Sequence, residues 1–266
     1  MRKTVIATAL AGLFSLPLIA HAADAPAPAS PHTFTSNIGV YSDYRFRGIS
    51  QTFKKPAIQG GFDYAHASGF YAGNWNSNVS ETAGFPEANL EMDFYGGFKK
   101  SWGDWGLDVG AIYYYYPGSN AGVGINYSPA NKGETHSGSV DNKEVYIGGS
   151  WKFVSLKYSR SFDDYFSAPD TDGTHYLDLS ANYDLGSGWG INGHVGHLNF
   201  KNYDNGSYTD WKIGVTKDFS GWVVGLAYVD SNAKDESGEP YHFTKVSGKS
   251  IDAGSGTAVL SLSRTF

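Results

Sequence analysis

Asp43, Arg45 and Arg47 stand two residues apart, a spacing that puts all three on one face of an extended strand, opposite Val40, Tyr44 and Phe46. On the wall of a pore they would form a charged patch able to contact solutes. Inside a narrow barrel they would instead form a buried ladder, paired with carboxylates such as Asp63, Glu91 or Asp93. Charges withdrawn from water need partners, so the structural role is the stronger expectation. Hydrolytic chemistry needs a nucleophile beside a base that a third polar group orients. His66-Ala67-Ser68 brings a His near a Ser, but in a short turn, and His136-Ser137 sits in a long polar gap without an anchored partner. Asp170-Thr171-Asp172-Gly173 has the start of a calcium loop and lacks the remaining carboxylates and the terminal Glu. His194 and His197, three apart on a strand, point to opposite faces and cannot share a metal. The absence of Cys excludes a thiolate metal site, a Cys nucleophile and a disulfide framework. The expectation is therefore no catalytic residue, no metal and no cofactor.

The elements that must position these charges have one rhythm from Thr33 to Phe266. Alternating segments are centred near Val40, Phe62, Trp75, Phe94, Val109, Ile147, Leu156, Leu179, Val195, Ile213, Leu226 and Leu260. Every second gap is a tight turn: Ala67-Ser68-Gly69, Ser101-Trp102-Gly103-Asp104, Lys152, Gly186-Ser187-Gly188 and Phe219-Ser220-Gly221. The intervening gaps are mostly longer and polar: Gly48 to Lys55, Ser80 to Glu87, Pro117 to Asn142, Asp164 to Gly173, Tyr203 to Gly206, and Asp230 to about Gly254. Short turns on one rim, long loops on the other and an even strand count are the asymmetry of a transmembrane barrel. The expected fold is all-β: a transmembrane antiparallel up-and-down β-barrel of twelve strands over residues 33–266.

The strand faces agree with this reading. Leu177, Leu179, Ala181, Tyr183 and Leu185 share one face, and Asp178, Ser180, Asn182 and Asp184 the other. Aromatics gather at strand ends, as in the girdles that bracket a membrane barrel. Tyr64, Phe70, Phe98, Trp102, Trp105, Trp151, Phe153, Trp189, Phe219 and Trp222 flank the short turns. Phe46, Trp75, Tyr113 to Tyr116, Phe162, Tyr203, Tyr208 and Tyr228 would form the second belt. The last strand ends on Phe266 in phase with Leu262, Leu260 and Ala258, a pattern expected to serve as the signal to the barrel-assembly machinery. Arg264 breaks that phase, and at an interface it can snorkel toward headgroups.

Residues 1–22 read as a secretory signal peptide: Arg2 and Lys3, an apolar run from Val5 to Ala20, and the small-x-small cleavage site Ala20-His21-Ala22. Residues 23–32, rich in Ala and Pro, are expected to stay extended and mobile. The formal charge of −6 becomes more negative once Arg2 and Lys3 leave, which speaks against a nucleic-acid partner.

Tyr41-Ser42-Asp43-Tyr44-Arg45-Phe46-Arg47-Gly48-Ile49-Ser50-Gln51-Thr52, the continuation Pro56-Ala57-Ile58-Gln59-Gly60-Gly61-Phe62-Asp63-Tyr64, and then Ser68-Gly69-Phe70-Tyr71-Ala72-Gly73 resemble the hallmark of the TorF porin family, long described as conserved proteins of unknown function. The motif covers residues 41–79, and the strand rhythm with Arg264-Thr265-Phe266 extends it over the chain. The resemblance implies a porin-type barrel in the cell outer membrane, embedded in its lipid, and no catalytic residue.

The alternation itself places ten acidic residues on the lumen side: Asp43, Asp63, Glu91, Asp93, Asp108, Glu144, Asp178, Asp184, Asp210 and Asp218. Five basic residues accompany them: Arg45, Arg47, Lys99, Lys157 and Lys212. An interior of that balance favours cations. The function expected is a passive channel for small hydrophilic solutes. The alternative is a plugged barrel acting structurally, adhesively or in recognition through its outer loops. The gap 117–142 either folds inward to narrow the channel or stays on the surface, and the sequence favours neither.

Overall fold

Each segment picked out by alternation forms a strand and pairs antiparallel with its sequence neighbours, and the last returns to the first. The computed structural model describes residues 30–121 and 138–266. Its barrel consists of β1 (His32–Tyr41), β2 (Ala57–His66), β3 (Phe70–Asn78), β4 (Leu90–Trp102), β5 (Trp105–Tyr115) and β6 (Asp141–Trp151). It continues through β7 (Val154–Ser161), β8 (His175–Gly186), β9 (Trp189–Asn199), β10 (Tyr208–Phe219), β11 (Trp222–Ser231) and β12 (Thr257–Thr265). The twelve strands close into one barrel. Its seam runs from Asn37 opposite Thr265 to Tyr41 opposite Ser261. Ser36 and Phe266 extend the seam by exchanging backbone hydrogen bonds of 3.2 and 2.8 Å. Closure satisfies the ladder groups that an open edge would leave bare in lipid.

Burial is inverted relative to a water-soluble protein. Phe34, Phe62 and Ile213 are 75%, 70% and 69% exposed, while Glu91, Asp93 and Asp210 are at most 1% exposed. Leu177, Leu179, Tyr183 and Leu185 face outward as alternation requires, and Asp178 faces in. A wall with its apolar side out and its charges in is built for a hydrocarbon solvent.

Loop sorting follows expectation, with five short turns on one rim. Two of them, Ser187-Gly188 and Ser220-Gly221, have positive φ at both positions (54° and 77°, 56° and 93°), the tight hairpin turn whose twist matches its strands. Around this rim Phe70, Trp102, Trp105, Trp151, Phe153, Trp189, Phe219 and Trp222 are all exposed on the outer surface. Arg264 lies there too, its guanidinium 5.4 Å from the Trp222 ring and 5.1 Å from the Phe266 ring.

The second belt differs from expectation. Phe162 and Tyr228 face outward, but Tyr114, Tyr116, Tyr203 and Tyr208 are buried. Trp75 packs edge-on against Tyr44, ring centres 5.4 Å apart, and Phe46 does the same against Tyr114 at 5.5 Å. Composition marks these residues as aromatic near a strand end. Phase within the strand, together with the path of the loop after β1, decides which way they point.

Candidate functional site

The largest departure from the sequence reading concerns the chain after β1. That strand ends at Tyr41, so Asp43, Arg45 and Arg47 are not on the first strand, and 48–55 is not a surface loop. The segment folds inward as a hairpin in which Arg45 pairs with Ser50 and Phe46 with Ile49. Its two-residue tip, Arg47-Gly48, has φ of 48° and 81°. A Cβ on Gly48 would lie 2.6 Å from Cβ of Asp210 on β10, so the tip abuts the wall three strands away from β1. An arginine in left-handed backbone costs roughly 1–2 kcal/mol, and such strain persists where surrounding contacts fix it.

Those contacts are specific. Asp43 accepts from Arg45 Nε at 2.6 Å, Ser50 Oγ at 2.7 Å and Thr52 Oγ1 at 3.0 Å. Arg45 Nη1 donates to the carbonyls of Gly48, Ala253 and Ser255, which ties the hairpin to the loop before β12. Arg47 makes a two-pronged pair with Glu144 on β6, at 3.0 and 2.8 Å, and also donates to Tyr165 Oη at 2.9 Å. Its guanidinium lies 4.4 Å from the Tyr176 ring and 4.8 Å from the Phe46 ring. Burial pushes the Tyr165 hydroxyl, in the β7–β8 loop, up to about 12, with Arg47 acting in the opposite sense. Arg45 and Arg47 are thus paired, as a buried ladder requires, but with Asp43 and Glu144 and not with the carboxylates of β2 and β4.

The remaining candidates line the barrel wall, where tyrosines dress most of the carboxylates. Tyr95 donates to Asp63 at 2.5 Å, Tyr71 to Asp108 at 2.7 Å and Tyr116 to Glu91 at 2.9 Å. Tyr71 has one hydroxyl proton and gives it to Asp108, so in its contact with Tyr146 the donor is Tyr146. These rings fit because glycines lie beneath them. Tyr71, Gly97, Gly110 and Tyr146 form one row across β3 to β6, and a Cβ on Gly73 would meet the Tyr95 ring at 2.4 Å. Asp93 is buried beside Glu91 on the same inward phase.

On the strand next to Tyr146, Lys157 lies 5.1 Å from the Tyr146 ring and is the cross-strand neighbour of Asp178. His194 sits between Asp178, 2.9 Å from Nδ1, and Asp210, 3.3 Å from Nε2, with Lys212 as its cross-strand neighbour. His197 points outward to Thr209. Asp184 and Asp218 lie at the short-turn rim and accept from the backbone of Gly186 and Gly221. His66 and Ser68 hydrogen bond at 2.7 Å on that same rim. Among the described residues no group of three metal-ligating side chains assembles. Ala20, Ala22, residues 1–29 and most of the gap 117–142 lie outside the described residues.

Two cavities flank the hairpin. One, of about 60 Å³, lies between Arg45, Arg47 and the wall carrying Asn192, Lys212, Thr216 and Ser261. The other, of about 120 Å³, lies among the outer loops against Phe46 and Ile49. Sequence reasoning missed the hairpin, the tyrosine–carboxylate pairs and His194. The signal available for the tyrosines was the inward phase of Tyr71 and Tyr95 with Asp108 and Asp63 nearby.

Comparison with known proteins places the architecture. A KdgM porin in complex with disordered oligogalacturonate superposes with a TM-score of 0.52 at 7% identity, covering 88% of this chain and 99% of that one. A second KdgM porin structure gives 0.51 at 7% identity, with the same coverage of both chains. At this identity the likeness is one of fold. No curated protein matches the chain. Residues 25–266, nearly the whole chain, match the family described as "Bacterial protein of unknown function (Gcw_chp)", and the chain belongs to that family.

Proposed function

We propose that this protein is a porin-type channel of the outer membrane, passing small hydrophilic solutes and ions between its outer loops and its short-turn rim. The observation that carries the reading is an inward hairpin, fixed by charged pairs, with open cavities on both its sides. A hairpin in that position narrows a twelve-stranded lumen, and small solutes that clear it are selected by size and charge. Residues 1–22 act as the export signal with cleavage after Ala22, and Phe266 as the mark for the barrel-assembly machinery. The resemblance of residues 41–79 to the TorF porins points the same way.

With Arg45 and Arg47 neutralised by Asp43 and Glu144, the remaining ionisable groups of the lumen are Asp63, Glu91, Asp93, Asp108, Asp178 and Asp210 against Lys99, Lys157 and Lys212, an acidic excess. A low-dielectric wall focuses that negative potential along the pore. The channel is therefore mildly cation-selective, and less so at high salt, where the screening length falls to about 3 Å at 1 M. The test is single-channel current in a planar bilayer, with the reversal potential read across a salt gradient. A cation preference that fades with salt is expected; anion preference would remove the acidic-lumen argument. A specific observation favours one competing reading, the plugged barrel: the clamp on the hairpin is buried and two-pronged. Correctly folded protein without conductance would decide for it.

A further inference from the structure

Three aromatics that the sequence assigns to a lipid belt, Phe46, Tyr203 and Tyr208, line the outer cavity instead. The inner hairpin supplies Phe46, and the outer loops supply Phe85, Phe166, Tyr203 and Phe243. The wall is built before any ligand arrives. Phe200 stacks on Tyr203 at 4.4 Å, Tyr165 meets Phe200 edge-on at 5.0 Å, and Tyr208 meets Tyr241 edge-on at 5.0 Å. Among the described residues the lining carries no Asp, Glu, Lys, Arg or His. Burial raises the Tyr203 and Tyr241 hydroxyls above the ordinary phenol range, so they stay neutral. Polar contacts available to a ligand are few. Gln51 donates to its own hairpin at Ile49, and Tyr241 donates to the Gly206 carbonyl. A recess walled by rings with sparse polar groups has the lining of a small-molecule site, and its room is that of a single ring.

Resting on the channel reading, we infer that this cavity is a binding site for the uncharged aromatic ring of a small, otherwise hydrophilic solute, held above the hairpin before passage. A charged head is excluded because nothing in the lining would replace its hydration. A bare sugar fits poorly for a related reason, since its many hydroxyls would lose water and find few partners. A flat apolar ring gains both burial and ring contacts.

The experiment compares phenyl β-glucoside with methyl β-glucoside, which share the sugar and differ by the ring. Binding is read by saturation-transfer NMR on the full protein in lipid nanodiscs, which does not require the barrel to conduct. Expected is phenyl β-glucoside bound roughly tenfold or more tightly than methyl β-glucoside, the equivalent of about 1.4 kcal/mol. Phe243→Ser should weaken it several-fold, and Phe85→Ser serves if that variant fails to reach the folded, heat-modifiable form. Val246→Ser, at a fully exposed loop tip, should change nothing. Equal binding of the two glycosides, no binding of either, or indifference to both ring substitutions would overturn the inference. Ring-dependent binding to a barrel that carries no current would instead remove the channel reading and leave the site standing.

Discussion

Replacing Glu144 by Gln keeps the volume and removes the charge that holds Arg47. Both side chains are almost fully buried, at 3% and 2% exposure. Removing one partner of such a pair costs about 3–5 kcal/mol, because the other charge is left uncompensated. Part of that loss is offset. Arg47 keeps its bond to Tyr165 and the ring faces of Tyr176 and Phe46, contacts of about 0.5–2 kcal/mol together. The left-handed backbone of Arg47 is strained alike in both proteins and drops out of the difference. The net, about 1–4.5 kcal/mol, moves the balance between seated and released hairpin by roughly one to three powers of ten. Two assays read it. Trypsin added to the outer-loop side of proteoliposomes should cut after Arg45 and Arg47 at least tenfold faster in Glu144→Gln, and single-channel conductance should rise with added noise. The twelve-stranded ladder is untouched, so heat-modifiable gel mobility should be retained. A folded variant with unchanged cleavage and unchanged conductance would show that the pair does not seat the hairpin.

Other outcomes follow from the wall and the seam. Gly73→Ala pushes a Cβ into the Tyr95 ring and detaches it from Asp63; overpacking of this kind costs about 1–3 kcal/mol, read as a lower urea midpoint of the reconstituted barrel, and an unchanged midpoint would mean that the ring moves freely. Deleting Phe266 removes its two backbone bonds to Ser36 and its outward ring, so outer-membrane yield should fall while export from the cytoplasm continues; normal yield would make the terminal pattern incidental. Wild-type protein should resist SDS until boiled, because a closed barrel has no edge from which to unzip, and recovery of the protein soluble in periplasm without detergent would end the membrane reading.

The barrel was legible because strands report their faces every second residue. Leu177 to Leu185 and Leu90 to Lys99 each carry an apolar and a polar side, and the turns between pairs are short enough to fix the register. The site was legible only in part. Asp63, Glu91, Asp93, Asp108, Glu144, Lys157, Asp178 and Lys212 lie on regular strands and point inward as alternation says. Asp43, Arg45 and Arg47 continue the same period past Tyr41, where the chain leaves the wall. The cue was Arg47-Gly48, a two-residue turn inside what reads as one strand, and arginine is not a residue that announces left-handed backbone. Tyr114, Tyr116 and Tyr208 were misassigned for a different reason. A tyrosine near a strand end suits a headgroup interface and also the inside of the barrel, and its phase within the strand and the path of the neighbouring loops decide which.

The two carbonyls that hold Arg45, those of Ala253 and Ser255, lie 208 and 210 residues further along the chain. The hairpin's own residues bond to one another, but its anchors to the barrel are remote in sequence, and these two belong to the stretch that leads into the final strand. An assembling chain therefore cannot seat its constriction early, since the anchor does not exist until β11 and β12 are in place. The nascent barrel passes through a stage in which the wall is nearly complete and the passage is at its widest. Narrowing comes last, as the loop before β12 settles over the hairpin, so a chain stalled short of its final strand would leave a larger hole than the finished protein.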